Sequence, residues 1–120
     1  MLKDTKLQLE ADKNLIEQVL INLIINSIDA VKERTEPLIQ LSGYRLDGRV
    51  VLEVADNGTG IPAEVLEKIF VPFFSTKQTG SGIGLSLSRQ IMLLHKGNIQ
   101  VRSTENKGTT FMLTFPVTQP

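Results

Sequence analysis

The stretch from Val19 to Glu33, VLINLIINSIDAVKE, constrains the fold more than any other part of the chain. A helix this aliphatic needs a core to pack against. It nevertheless carries Asn22, Asn26 and Asp29 at i, i+4 and i+7. With 3.6 residues per turn, those positions share one face spanning about 60°. Gln18 and Glu33 extend the stripe at its two ends. A polar helix face is ordinarily a solvated one. Asparagine suits that role poorly, because its amide competes for backbone hydrogen bonds. Leu20, Ile21, Leu23, Ile24, Ile25 and Ile28 also leave only a narrow polar strip. The strip is either wet surface or the floor of a cleft, where amide oxygens and a carboxylate on a rigid helix could hold a hard cation.

The rest of the pattern supplies partners for that helix. Residues 5–10, TKLQLE, alternate polar and apolar as a short strand does, and Asp12 is a candidate N-cap for a helix running to about Arg34, with Pro37 ending the region. LIQLSGYRL and RVVLEVA read as strands joined by the hairpin signal Asp47-Gly48. DNGTGIP is a loop, Pro62 suits a first helical turn, and AEVLEKIF is a short helix. Residues 71–83 form a long loop, Ile83 to His95 a second long helix, and Gly97 its C-cap. NIQVRST and TTFMLTFP close the chain as a hairpin across Glu105 to Gly108. This order predicts a single-domain α/β (α+β) two-layer sandwich, its sheet mixed but mainly antiparallel, with helices on one face.

The totals exclude several function classes. At 120 residues the chain is one domain, large enough for a core without staples. Thirteen basic and thirteen acidic residues cancel, so no field draws it to nucleic acid or a membrane surface. With no cysteine there is no disulfide, Cys-type zinc site or thiol nucleophile, which fits a reducing compartment. The longest apolar run falls short of a membrane span, and no signal-peptide pattern opens the chain.

Two glycine clusters flank the short helix: Asp56-Asn57-Gly58-Thr59-Gly60, and Gly80-Ser81-Gly82-Ile83-Gly84 at the start of the second long helix. Glycines let backbone N–H groups approach anionic oxygens, and a helix N-terminus adds a favourable dipole. The second cluster is thus either a phosphate cradle or a plain turn. It is not a P-loop, since no Gly-Lys-Ser/Thr follows, nor a dinucleotide fingerprint, since it follows a loop and not a strand. Asp56 could cap its own turn, or accept hydrogen bonds from a donor edge such as an adenine amino group.

Taken together, roughly from Lys6 to Pro116, these segments resemble the catalytic ATP-binding domain of sensor histidine kinases, in the superfamily shared with gyrase, chaperone and mismatch-repair ATPases. QVLINLIINSIDAV is similar to the N box and DNGTGIP to the first glycine box. IFVPFFSTK is similar to the F box, GSGIGLSLSRQI to the second glycine box, and GTTFMLTFP to the closing strand. The resemblance implies a Bergerat-type ATP-binding fold with ATP and Mg²⁺ as cofactors. It implies that Asn26 coordinates Mg²⁺ with support from Asn22. Asp56 would bind the adenine amino group, with Gly58, Gly60 and Ile61 letting the base sit against the backbone. Lys77 would meet the terminal phosphates. Gly80, Ser81, Gly82, Ile83, Gly84 and Leu85 would form a lid and its hinge, and Thr109 would help to hold adenine. Val71, Ser75 and Lys96 stand where many members have Glu, Thr and Gly, and Asp29 stands where many kinases have a basic or small residue.

ATPases of that superfamily carry a glutamate one turn before the metal-binding asparagine, as general base on water. Here the place is Asn22, which cannot take a proton at neutral pH. That suits a kinase whose nucleophile arrives from outside as a neutral imidazole. His95, the only histidine, lacks the acidic neighbour and downstream proline of a phospho-accepting site, and reads as a helix-C-terminal residue. The resemblance therefore implies a histidine-bearing dimerisation domain upstream and, through it, a response regulator as partners. It implies a cytoplasmic location for a domain that is monomeric when isolated, the parent protein being anchored in the inner membrane in most of that family. Phe70, Phe73 and Phe74 would anchor the loop to the core or dock on that upstream domain. A self-contained ATPase, an anti-sigma-type serine kinase and a nucleotide-free binding module are the alternatives.

Overall fold

The computed structural model describes residues 13–71 and 84–116. The strand expected over 5–10, together with Asp12, Phe73, Phe74, Ser75, Lys77, Gly80, Ser81, Gly82 and Ile83, lies outside them. The elements are α1 (Lys13–Val31), β1 (Ile39–Leu46), β2 (Arg49–Asp56), α2 (Ala63–Leu66), α3 (Gly84–Leu94), β3 (Asn98–Thr104) and β4 (Gly108–Pro116). The four strands lie in the order β1-β2-β4-β3, and every pairing among them is antiparallel. The β1–β2 hairpin turns through Asp47 and Gly48, both at positive φ, as a two-residue hairpin requires.

Alternation along the central strands builds the core. Val50, Leu52 and Val54 of β2 face the same side as their register partners Phe115, Leu113 and Phe111 of β4. Ile99 and Val101 of β3 continue the rows. Onto this face pack Ile16, Val19, Leu20 and Leu23 of α1 and Ile91 and Met92 of α3. By length and composition the segment Asn14–Val31 could cross a membrane. Its apolarity is accounted for here by the sheet and α3, against which α1 packs. Ile21, Ile25 and Ile28 are the exception, at 55–56% exposed, so Asn22 and Asn26 sit on the boundary between the buried face and an open aliphatic stripe.

Element ends depart from the sequence reading for local reasons. Beyond Val31 the chain tightens into a turn closed by the Arg34 N–H on the Val31 carbonyl, before Pro37. The short helix keeps only Ala63–Leu66, because Lys68 and Val71 donate to carbonyls three residues back and so continue as tighter turns. At the end of α3 the left-handed residue is Lys96 (φ 60), not Gly97. Gly97 donates to the Met92 carbonyl and Lys96 to that of Leu93, the double bond of a Schellman cap with lysine in the glycine position. Gly97 is needed for a different reason: a Cβ there would fall on the Thr114 carbonyl oxygen.

Candidate functional site

The polar stripe of α1 joins the two glycine boxes. At its N-terminal part, Asn22 lies under the first residue of α3. A Cβ on Gly84 would come within 2.6 Å of Asn22 Nδ2, so a side chain there would displace the amide. Asn22 Nδ2 donates to Ser88 Oγ (3.2 Å), and Ser88 Oγ donates to the Gly84 carbonyl (2.9 Å). Two turns further on, Ala30 touches the first glycine box, where a Cβ on Gly58 would be 2.5 Å from the Ala30 carbonyl oxygen. Eight residues separate Asn22 from Ala30, about 12 Å along the axis. Half-buried Asn26 sits midway. Asp29 turns instead toward Lys32, 3.2 Å away in an exposed i,i+3 pair. Such a pair contributes only about 0.3 kcal/mol. Beside Asn22, α1 and α3 leave an open groove of about 230 Å³ bordered by Gln18, Ile25 and Leu87.

The other end of the site is built by strand register. Asp56 lies opposite Thr109, and Thr109 opposite Ser103, so the three form one row across β2, β4 and β3. Side chains alternate with period two, so this row shares the helix-facing side with Val54, Phe111 and Val101 and ends the apolar face with polar groups. Asp56 Oδ1 accepts the Gly58 N–H at 2.8 Å. The aspartate therefore does cap its own turn, and does so with one of its two oxygens. Thr109 is buried, and its hydroxyl lies 2.8 Å from that of Ser103, which also accepts the Ile61 N–H. Gly60 (φ +72) and Gly108 (φ +140) could not carry a side chain, since a Cβ would meet the Thr104 and Asp56 carbonyl oxygens.

A clasp the sequence did not disclose holds this loop to the segment after α1. Thr59 N–H donates to the Ala30 carbonyl. Arg34 Nη2 donates to the carbonyls of Gly58 (2.7 Å) and Asn106 (2.8 Å). The Asn57 side chain donates to the Glu36 carbonyl and accepts the Leu38 N–H. Asn106 N–H in turn donates to the Thr59 carbonyl. Arg34, Asn57, Ser88 and Ser103 were all missed as site residues. Asn57 stood inside a recognised turn motif. Arg34 gave no signal, because its partners are main-chain oxygens 24 and 72 residues away.

Of the residues expected in the site, Asp56, Gly58, Gly60, Ile61 and Thr109 come together at one end. Asn22, Gly84 and Leu85 stand at the other, with Asn26 between. Lys77, Gly80, Ser81, Gly82 and Ile83 lie outside the described residues. His95 is at the far end of α3 from Gly84, its Nδ1 2.7 Å from the Ile91 carbonyl oxygen, a contact that requires the proton on Nδ1. Among the described residues no group of three or more His, Asp or Glu could hold a metal unaided. Amide oxygens are hard ligands, and a metal on them would need phosphate and water to complete its shell, which fits Mg²⁺.

The chain is similar to known proteins over nearly its whole length. Residues 11–119 match the family model described as histidine kinase-, DNA gyrase B-, and HSP90-like ATPase. The chain is 41% identical over 109 residues to the signal transduction histidine-protein kinase AtoS of Escherichia coli strain K12, covering 91% of this chain and 18% of that protein. It is 40% identical over 114 residues to the sensor histidine kinase ZraS of the same strain, covering 95% of this chain and 24% of that one. The chain thus spans about a fifth of the length of these relatives. Among solved structures, the nucleotide-free catalytic domain of the histidine kinase ThkA superposes with a TM-score of 0.81 at 39% identity, over 95% of this chain and 74% of that one.

Proposed function

The chain belongs to the histidine kinase-, DNA gyrase B- and HSP90-like ATPase family, and we propose that it is the part of a sensor kinase that binds Mg-ATP and hands the γ-phosphoryl group to a histidine on a separate dimerisation domain. The observation that carries this reading is the single helix face linking the glycine boxes, with Ala30 on Gly58, Asn22 on Gly84, and Asn26 between them. A base at the Asp56–Thr109 end and phosphates at the Gly84 end would span that face.

In this reading Asp56 accepts the exocyclic amine of adenine through its second carboxylate oxygen, and Gly58, Gly60 and Ile61 admit the ring against backbone. Asn26 offers its amide oxygen to Mg²⁺, which when bound would neutralise phosphate charge. Lys77 and Gly80 to Ile83, with Gly84 and Leu85, serve the phosphates. Asn22 gives its amide hydrogen to Ser88 and has no basic atom to activate water. The chain therefore positions ATP without driving hydrolysis, and the nucleophile comes from the imidazole of the dimerisation domain. That domain, a response regulator beyond it and a cytoplasmic setting complete the proposal. A self-contained ATPase lacks its base here, and a serine kinase of the anti-sigma type would phosphorylate a hydroxyl instead.

The test is thermal stability and calorimetric binding with Mg-ATP, since a ligand bound only by the folded state raises Tm. Asn26→Ala is expected to keep its fold and lose Mg-dependent nucleotide binding. Asp56→Asn should weaken ATP by about 10- to 100-fold, the worth of a charge-assisted hydrogen bond, and tripolyphosphate far less. Equal losses for both ligands would remove Asp56 from the base site. Absence of any Mg-ATP shift in the parent chain would end the nucleotide reading altogether. Labelled phosphate should pass to a histidine-bearing dimerisation domain and not to serine.

A further inference from the structure

Ser103 carries more contacts than its hydroxyl can satisfy in more than one way. Its Oγ lies 2.8 Å from the Ile61 nitrogen, 3.0 Å from the Gly108 carbonyl oxygen and 2.8 Å from Thr109 Oγ1. A serine hydroxyl has one proton and two lone pairs. The Ile61 N–H takes one lone pair. The Gly108 carbonyl has no proton to give, so that contact is a hydrogen bond only if Ser103 donates its single proton there. Thr109 must then donate to the remaining lone pair of Ser103. The reverse assignment would set two oxygens 3.0 Å apart with no proton between them, beside a threonine only 6% exposed.

Thr109 thus has its proton directed across the sheet toward β3, away from Asp56, which lies directly across from it in register on β2. Toward Asp56 it offers lone pairs alone. We infer that Ser103 is a specificity-determining positioning residue: by fixing the direction of the Thr109 hydroxyl it makes the base end an all-acceptor edge, formed by Asp56 and Thr109. Such an edge accepts both hydrogens of an amino group at position 6 of a purine, one at Asp56 and one at Thr109. It rejects a purine carrying an oxo group there, whose lone pairs would face only lone pairs. Ser103 does this without touching the base. The inference rests on the reading of Asp56 and Thr109 as the adenine site.

The experiment measures affinities for Mg-ATP, Mg-ITP and tripolyphosphate on the parent chain and on Ser103→Ala, Ser103→Cys and Ser103→Thr. ITP differs from ATP in presenting an oxygen at position 6 and a proton on N1; the N1 proton is the same for every variant, so the change in the ATP-to-ITP ratio on substitution reads the contact at position 6. Ser103→Ala frees the Thr109 hydroxyl to donate toward that oxygen, so the preference for ATP over ITP should fall by about tenfold, one hydrogen bond's worth. Both affinities should also drop as Ile61 loses its acceptor. Ser103→Cys, which keeps the side-chain shape, slightly enlarged, but offers sulfur as a poor acceptor, should lose the preference even if the alanine variant is unstable. Ser103→Thr retains the hydroxyl and should keep the parent ratio. A Ser103→Ala or Ser103→Cys chain that weakens ATP and ITP equally makes the serine merely structural and overturns the inference. A parent chain that binds tripolyphosphate as well as ATP sinks the adenine reading itself, and is recognised before any variant is made.

Discussion

At Gly60 a methyl group would land on the Thr104 carbonyl oxygen from a backbone held at φ +72. At Gly84 the nearest atoms it would meet are those of the side-chain amide of Asn22, 2.6 Å away, from the first turn of an ordinary helix. Gly58 and Gly84 both lie against α1, yet Gly58, like Gly60, is fitted against main chain and Gly84 against a side chain. The first glycine box is further tied by Arg34, Asn57, Ser103 and Asn106 to three separate segments. The second is tied among the described residues by the Asn22–Ser88–Gly84 relay. A rigid end suits recognition of an unchanging base. An end built from rotatable side chains suits a metal and phosphates whose arrangement changes during transfer.

The same substitution at both glycines breaks or sharpens that contrast most directly. Gly60→Ala should cost about 3 kcal/mol or more, since left-handed strain and a backbone overlap add. Gly84→Ala should alter stability by less than about 1 kcal/mol, because alanine favours the helix while Asn22 swings aside. Its damage should appear instead as lost Mg-nucleotide affinity once the Ser88 bond is broken. Urea denaturation with nucleotide titration separates the two. Comparable unfolding costs at both positions would erase the distinction.

A smaller effect is expected at Arg34. Arg34→Met keeps the aliphatic bulk and removes the donors to the Gly58 and Asn106 carbonyls. The cost should be about 1.5–3 kcal/mol, carried mainly by the charge-assisted bond to the part-buried Gly58 carbonyl, since the bond to Asn106 is exposed. If the clasp belongs to the base end, ATP should weaken more than tripolyphosphate, whereas Ser88→Ala should weaken both alike. Parallel losses in the two variants would mean that the ends are not independent.

How much of this was readable in advance follows from where each signal lies. The β1–β2 hairpin was legible because Asp47-Gly48 encodes its turn locally, and both residues take positive φ. The α1 stripe was legible because helical period alone puts Asn22 and Asn26 on one face. The row Asp56–Thr109–Ser103 was only partly legible. Resemblance pointed to the first two, but Ser103 joins them only through the pairing of β3 with β4. Arg34 was not legible at all, since it recognises carbonyls, which every residue possesses, and only tertiary structure says whose. Gly84 was legible only as part of a lid and its hinge; its close approach to Asn22 depends on how α1 packs on α3, which no motif spells out.

Residues 96 and 97 carry that lesson away from the site. Lys96 holds the left-handed position of the α3 cap (φ 60), where glycine would be unstrained, while Gly97 is reserved for close contact with the Thr114 carbonyl. Left-handed backbone costs a lysine about 1–2 kcal/mol. Glycine would give back about 0.5–1 kcal/mol through the freedom it adds to the unfolded chain, and a cation near the helix C-terminus would be lost. Lys96→Gly should therefore stabilise the chain by only about 0.5 kcal/mol, raising Tm by about 2 °C with nucleotide affinity unchanged. Gly97→Ala, one residue on, should lower Tm by considerably more, because its obstacle is backbone rather than conformation. If Lys96→Gly instead lowers Tm, the lysine's charge at the end of α3 outweighs its strain, and glycine placement in this chain follows close approach even where conformation alone would favour it.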